Sequence, residues 1–237
     1  MKIEVKHLTK EYGATVAVDD LSFTLEAGQI LGFAGPNGSG KTTTMNIMST
    51  LEEPTLGDVL IDGMSVIEYP DEARKLIGFM PDYLPSQNDI SAHEYIDFFA
   101  RAYGYTGKER KLRVKEVEDF TDVTPIRNKV LGALSRGMKQ RVSLARAIVH
   151  DPKFLIMDEP ANGLDPRARI EFRTYAKRLA ENGKAVLVSS HILSDLNEIC
   201  TGCIIIEKGK LVKRIEGSLK NMDLESVFME LTKGEVQ

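Results

Sequence analysis

The stretch GPNGSGKT, Gly35 to Thr42, follows the wholly apolar run ILGFA (Ile30–Ala34) and opens a segment that reads as a helix from Thr42 to about Leu51. It fits the pattern GxxxxGK[ST] in the context its mechanism requires, with a strand before and a helix after. An apolar run ending in glycine has the character of a short strand buried in a parallel sheet. In the loop itself, Gly35, Gly38 and Gly40 let successive backbone N–H groups turn inward around phosphate oxygens, with Asn37 and Ser39 as further nucleotide-binding residues between them, and the positive end of the helix faces the same anion. Lys41 is placed to reach the β- and γ-phosphates of a nucleotide, and Thr42 to ligate Mg²⁺. Read without a ligand, the loop is only a flexible glycine turn, but from average residue usage a chain of this length would match by chance at on the order of 1%.

Downstream, FLIMDEP (Phe154–Pro160) delivers two adjacent carboxylates at the end of a second buried strand, a costly place for charge unless a cation or a substrate uses it. Asp158 suits the Mg²⁺ shell. Glu159, beyond the last pleat, points elsewhere and can polarise a water for attack on a γ-phosphate; for either residue the plain alternative is a turn or helix cap. Together the two motifs indicate a Mg-nucleoside triphosphate. A third segment, LSRGMKQR (Leu134–Arg141), places Ser135 as the N-cap of a helix with Gly137 in its first turn, which makes a ready anion site not tied to its own chain's phosphate loop.

Around these motifs the expected organisation is α/β. Apolar-rich strands near Ile3–Val5 and Val16–Leu25 form a hairpin, Asp58–Ile61 with the turn Asp62-Gly63 adds an antiparallel piece, and Phe154–Met157 and Ala185–Ser189 flank a helix at Pro166–Asn182 as a βαβ unit capped by Asp165. Between Ser86 and His150 strand character vanishes and helical periodicity takes over, so residues 86–150 read as a helical insertion. A hairpin at Ile204–Glu207 and Leu211–Arg214 and an amphipathic helix marked by Leu224, Val227, Phe228 and Leu231 close the chain.

Composition narrows the classes. The 237 residues are 42% hydrophobic and 28% charged, which suits a folded globular chain, and 31 basic against 35 acidic residues give a net charge of −4, so no global positive field advertises a nucleic-acid partner. The longest stretch without a charge, Ala27–Gly40, has 14 residues and five glycines, too short to span a bilayer. The N-terminus lacks the apolar core of a secretory signal, so a reducing cytoplasm is expected. Cys200 and Cys203 lack the further ligands a zinc site needs and read as small buried hydrophobes.

In its motif order the sequence resembles the ATP-binding cassette family over nearly its whole length: an aromatic near the start (Tyr12), GPNGSGKTT, a helical insertion, LSRGMKQR as counterpart of the LSGGQ signature, FLIMDEP, NGLDP (Asn162–Pro166) and a histidine after a strand (VLVSSH, His191). The resemblance implies a RecA-like core with an antiparallel β subdomain (1–85 and 151–237) and a helical subdomain (86–150) bearing the signature. It implies a head-to-tail dimer in which ATP on one Gly35–Thr43 loop is covered by Ser135 and Gly137 of the other protomer. In family roles, Tyr12 stacks on adenine, Lys41 and Thr43 hold phosphates, Thr42 and Asp158 hold Mg²⁺, Glu159 is the base, His191 touches the γ-phosphate and Asp165 couples the two sites. Without the family, Tyr12 is an edge-strand aromatic and His191 a turn histidine; His7, His93 and His150 match no motif and read as solvated or structural.

Two departures stand out. Arg136 and Met138 replace the usual Gly and Gln of the signature, a variant that looks like the ATPase subunits of drug, antibiotic and polysaccharide exporters. In IGFMPDYLP, Asp82 stands where such proteins usually carry Gln and exporters often Glu, and its shorter, anionic side chain sets a direct contact with Mg²⁺ or the attacking water in question; Gln87 has no motif behind it as a substitute. The C-terminal segment resembles the short closing helix of exporter ATPases, with no room for the β-rich domain of sugar importers. The implied function is ATP hydrolysis driving export through separate membrane permease subunits. The chain would pair with a second ATPase subunit, identical or different, sit on the inner face of the cell membrane, and dock the permease near Asp82–Ser91. The rival is a soluble cassette protein acting on nucleic acid or the ribosome, which would usually carry a coiled coil, a zinc insert or two cassettes. A small-molecule kinase leaves LSRGMKQR and NGLDP without a role.

Overall fold

Two long strands, β1 (Lys2–Tyr12) and β2 (Thr15–Glu26), open the chain, followed by β3 (Ile30–Ala34) and α1 (Lys41–Met48) in the computed structural model, which describes residues 1–83, 89–220 and 222–232. A hairpin of β4 (Leu56–Ile61) and β5 (Met64–Ser65) turns at Asp62-Gly63, both with positive φ, and leads to α2 (Pro70–Leu76) and β6 (Ile77–Met80). Then come α3 (Ala92–Ala102), α4 (Gly107–Phe120) and α5 (Arg136–Ile148), with two short 3-10 turns between α4 and α5. The chain returns through β7 (Phe154–Met157), α6 (Pro166–Glu181), β8 (Ala185–Ser190), α7 (Leu193–Ile199), β9 (Gly202–Glu207), β10 (Lys210–Glu216) and α8 (Leu224–Thr232). Gln87 lies outside the described residues, as does much of the expected docking loop.

Six strands form the central sheet in the order β10-β9-β3-β8-β7-β6, parallel except for the edge strand β10, and four form an antiparallel sheet in the order β2-β1-β4-β5. The inner strands β3, β7 and β8 are buried along their whole length, and apart from Ser189 and Ser190 at the end of β8 they carry no polar side chain, because both faces are covered. Leu31, Phe33, Phe154, Ile156, Leu187, Ile204 and Ile206 pack toward α1 and the antiparallel sheet in one core. Their neighbours Ile30, Ala34, Leu155, Met157, Val186, Val188 and Ile205 pack toward the helices in a second core. The alternation between cores is the period of two of a strand whose two faces are both buried.

The expected strands and helices are present with small shifts of their ends: α1 stops at Met48, for instance, with Ser49 as its C-cap. Three elements were absent from the sequence reading: α2, β6 and α7. The first and last have seven residues each, and β6 has four with Gly78 among them. Gly78 is required there, since a Cβ would lie 2.3 Å from the Ala147 carbonyl of α5. The sequence alone presents it as a strand breaker.

The final helix buries Leu224 and packs Val227 and Phe228 against the core. Cys200 and Cys203 are buried thiols pushed upward in pKa by burial, Cys203 to about 12, and a Cβ on Gly32 would meet their sulfurs at 3.2 and 3.3 Å. They fill the space that Gly32 leaves open, as small hydrophobes do.

Candidate functional site

β3 feeds directly into the phosphate loop, and the loop's shape depends on two glycines. Gly40 has φ of 99° and its missing Cβ would fall 2.4 Å from the Ala17 carbonyl, while a Cβ at Gly35 would fall 2.5 Å from the Ile206 carbonyl. Larger residues would push the loop off both neighbouring strands. The β9–β10 turn also secures the loop, because Gly209 N–H donates to the Ser39 carbonyl at 3.0 Å. Lys41 is buried, and its ammonium curls back to donate to the Gly35 and Pro36 carbonyls at 2.7 and 3.1 Å. Burial lowers its pKa, opposed by the negative charges of Glu159 and Asp158.

Across the cavity, at the end of β7, Asp158 is 5% exposed and accepts two hydroxyl hydrogen bonds, from Thr42 Oγ1 at 3.0 Å and from Ser189 Oγ at 2.6 Å. One carboxylate and one hydroxyl from opposite walls form a hard-oxygen pair of the kind that holds Mg²⁺ when substrate phosphates complete its shell, so these residues fit the ion. Glu159 follows with φ of 46°, a left-handed conformation uncommon for a residue with a side chain, held by its N–H donating to Ser189 Oγ at 2.8 Å. The turn swings its carboxylate toward the loop after β8, where Oε2 lies 2.7 Å from His191 Nδ1.

Asn37, Gly38, Lys41, Thr42, Thr43, Asp82, Asp158, Glu159 and His191 line one cavity of about 1050 Å³. This is large enough for a drug-sized ligand. Tyr12 does not line it; the ring is half-exposed beside it, its hydroxyl donates to Glu52 and interacts with Thr43, and Lys10 Nζ covers one ring face at 5.0 Å. Ser135 and Gly137 are also apart from the cavity: Ser135 Oγ caps α5 by accepting from Met138 N–H at 3.4 Å, and Gly137 faces Ala168 and Leu164. Asp165 caps α6 through Ala168 N–H at 3.0 Å. Asp82 is not tied to Thr42 or Asp158 but sits 3.6 Å from Arg136 Nη2.

Sequence reasoning missed Ser189, whose hydroxyl joins Asp158 to the Glu159 backbone; the pattern VLVSSH carries it, but a serine ending a strand gives no separate signal. It also missed Arg169, which donates to the Leu164 carbonyl at 3.1 Å and pairs with buried Asp195 of α7 at 3.8 Å, linking the segment before α6 to the one after His191. The other histidines are structural or solvated as expected. His7 pairs with Asp20 on the surface, His93 with buried Glu118, and His150 stacks on Tyr103 with Nε2 donating to the Ile77 carbonyl. Among the described residues no helix is long and apolar enough to cross a membrane.

A family model described as ABC transporter matches residues 18–162, more than half of the chain. A Bacillus subtilis protein named "Uncharacterized ABC transporter ATP-binding protein YhcH" is 42% identical over 95% of this chain and 73% of its own length. The B. subtilis "ABC transporter ATP-binding protein NatA" is 34% identical over 90% and 89% respectively. Among solved structures, an ATP-binding subunit of an ABC transporter superposes with a TM-score of 0.86 at 26% identity over 98% of this chain and 100% of that one. A dimeric ATP-binding cassette holding ADP and Pi after hydrolysis gives 0.80 at 26% identity, over 90% and 98%. On the phosphate loop, the carboxylate pair and these likenesses together, the chain belongs to the ABC transporter family, among its ATP-binding subunits.

Proposed function

We propose that this chain binds MgATP in the cavity between the phosphate loop and β7 and hydrolyses it at an interface shared with a second ATP-binding subunit, driving export through separate membrane permease subunits. The observation that carries the reading is the convergence of Lys41, Thr42, Asp158, Glu159 and His191 on one cavity while Ser135 and Gly137 stand apart from it. Export is supported by a relative named for it, a Burkholderia "Nod factor export ATP-binding protein I", 33% identical, and sits well with one named for resistance, the B. subtilis "Linearmycin resistance ATP-binding protein LnrL", 32% identical.

In this reading the Lys41 ammonium leaves the loop carbonyls for the β- and γ-phosphates, and Thr43 adds a contact to them. Thr42 and Asp158 hold Mg²⁺, which supplies positive charge against the phosphate oxygens. Glu159 orients a water and takes its proton; His191 sits against that carboxylate through Nδ1 and touches the γ-phosphate as a ring N–H donor. Tyr12 stacks on adenine, and Ser135 and Gly137 of the second subunit cover the γ-phosphate. Asp165, at the start of α6, couples the two sites. Residues 1–85 and 151–237 act as the nucleotide-binding core and 86–150 as the helical subdomain, with the assembly on the cytoplasmic face of the membrane.

The test is turnover of MgATP by the purified chain, with Glu159→Gln alongside. Turnover by the wild type, with at least a hundredfold loss in the variant at unchanged ATP affinity, supports the reading. A wild type that neither binds nor hydrolyses MgATP overturns it. The transport arm is co-purification with a co-expressed permease from the membrane fraction.

A further inference from the structure

Arg136 opens α5 and Gln140 lies one turn later, so the two share one face of the helix. That face grips Asp82 twice: Arg136 Nη2 is 3.6 Å from Asp82 Oδ1, and Gln140 Nε2 donates to the Asp82 carbonyl at 3.4 Å. Gln140 is 5% exposed, so its hold on the loop after β6 is a buried one. The Arg136 guanidinium also lies against Gly163, where an added Cβ would come within 2.6 Å of it. One arginine thus touches the loop after β6 and the loop before α6, and it stands beside Ser135.

The charges are complementary. Asp82 lines the cavity that holds the phosphate loop, where an uncompensated carboxylate would repel a nucleoside triphosphate. Its Oδ1 is buried and, among the described residues, accepts no hydrogen bond, so the nearby guanidinium balances it by charge. Asp82 is held by α5, whereas Thr42 and Asp158 hydrogen-bond to each other across the cavity without it.

We propose that Asp82 and Arg136 work as a single unit, an ion pair that sets the position of the Ser135–Gly137 end of α5 against the nucleotide-binding core. Both are positioning residues for hydrolysis, and Asp82 is not a metal ligand. This rests on the ATPase reading above.

The test is a double-mutant cycle in the full chain with Asp82→Asn, Arg136→Gln and the pair combined, plus Arg136→Lys. Measured quantities are kcat and KM for MgATP, ATP affinity with and without Mg²⁺, and ATP-driven dimerisation in a Glu159→Gln background. Each single variant is expected to lower kcat by about three- to tenfold and weaken dimerisation; KM and monomer ATP affinity should change less than about twofold in Asp82→Asn and in the combined variant, and weaken further only in Arg136→Gln, which leaves the cavity carboxylate uncompensated; the combined variant should be no worse than either single one, and Arg136→Lys should recover most of the loss. Effects that multiply in the double variant overturn the proposal. So does a loss of affinity in Asp82→Asn that appears only with Mg²⁺, which would put Asp82 on the metal. If Arg136→Gln does not fold, Asp82→Asn and Arg136→Lys still decide, since a charge pair tolerates lysine and loses its effect on neutralising the aspartate. A wild type without ATP binding would instead fail the ATPase reading itself.

Discussion

Glu159 Oε2 and His191 Nδ1 lie 2.7 Å apart, and the His191 backbone N–H donates to the same oxygen at 3.3 Å, so one carboxylate oxygen is held by a ring and an amide from the loop after β8. The other oxygen is the one left to orient a water. Removing the ring should therefore loosen the base without deleting it. His191→Ala is expected to lower kcat by about ten- to a thousandfold, less than Glu159→Gln, with ATP affinity within a few fold of wild type. Because the two residues act together, the double variant should be close to Glu159→Gln alone. Losses that multiply would separate their roles.

Lys41 offers a test of binding as opposed to chemistry. With no nucleotide its ammonium is satisfied by the Gly35 and Pro36 carbonyls, and burial lowers its pKa. Lys41→Ala exchanges a buried cation for a small apolar group, so the fold should survive. Charge-assisted phosphate contacts are worth about 1.5–3 kcal/mol, which is roughly ten- to a hundredfold in MgATP affinity. Calorimetric titration giving equal affinities would remove Lys41 from the site.

His150 makes stability depend on pH. Burial lowers its pKa from 6.5 to about 4, and its ring is stacked on Tyr103 at 3.8 Å with Nε2 donating to the Ile77 carbonyl. The folded state holds the ring neutral where the unfolded chain would protonate it. Unfolding therefore takes up a proton between about pH 6.5 and pH 4, and stability falls as pH falls through that window. His150→Phe keeps an aromatic face for Tyr103 and removes the titration. Its melting temperature should vary less over this range than that of wild type; an identical pH profile would show that the ring is protonated freely in the fold.

Much of this site was legible because its parts are local. The phosphate loop, the carboxylate pair and the Ser135 and Asp165 caps each occupy a few consecutive residues with fixed spacing, and their backbone geometry follows from glycine, proline and side-chain hydroxyl chemistry. What was not legible arises between segments distant in sequence. The 3.6 Å approach of Arg136 to Asp82 and the Ser189 hydroxyl on Asp158 depend on how α5 and β8 lie beside β6 and β7, which no local pattern encodes. The same applies to β6: Gly78 is demanded by a helix that arrives about seventy residues later, at Ala147.

Gly137 gives the sharpest test of a shared site. Among the described residues, a Cβ there would meet Ala168 Cβ at 3.4 Å and Leu164 Cδ2 at 3.9 Å, ordinary van der Waals distances, so the isolated chain accommodates a Cβ at this position. It is also apart from the phosphate-loop cavity. In a Glu159→Gln background, where the water lacks its base, ATP should accumulate a dimer that light scattering reads at twice the monomer mass. Adding Gly137→Asp puts a carboxylate at the N-terminal turn of α5, where the second subunit's γ-phosphate is proposed to sit, and like-charge repulsion should abolish the dimer. Monomer affinity for ATP should stay within about twofold, because Lys41, Thr42 and Asp158 are untouched and Gly137 lies apart from the phosphate-loop cavity. A dimer that persists, or a monomer that loses ATP, would show that the signature segment does not act across an interface.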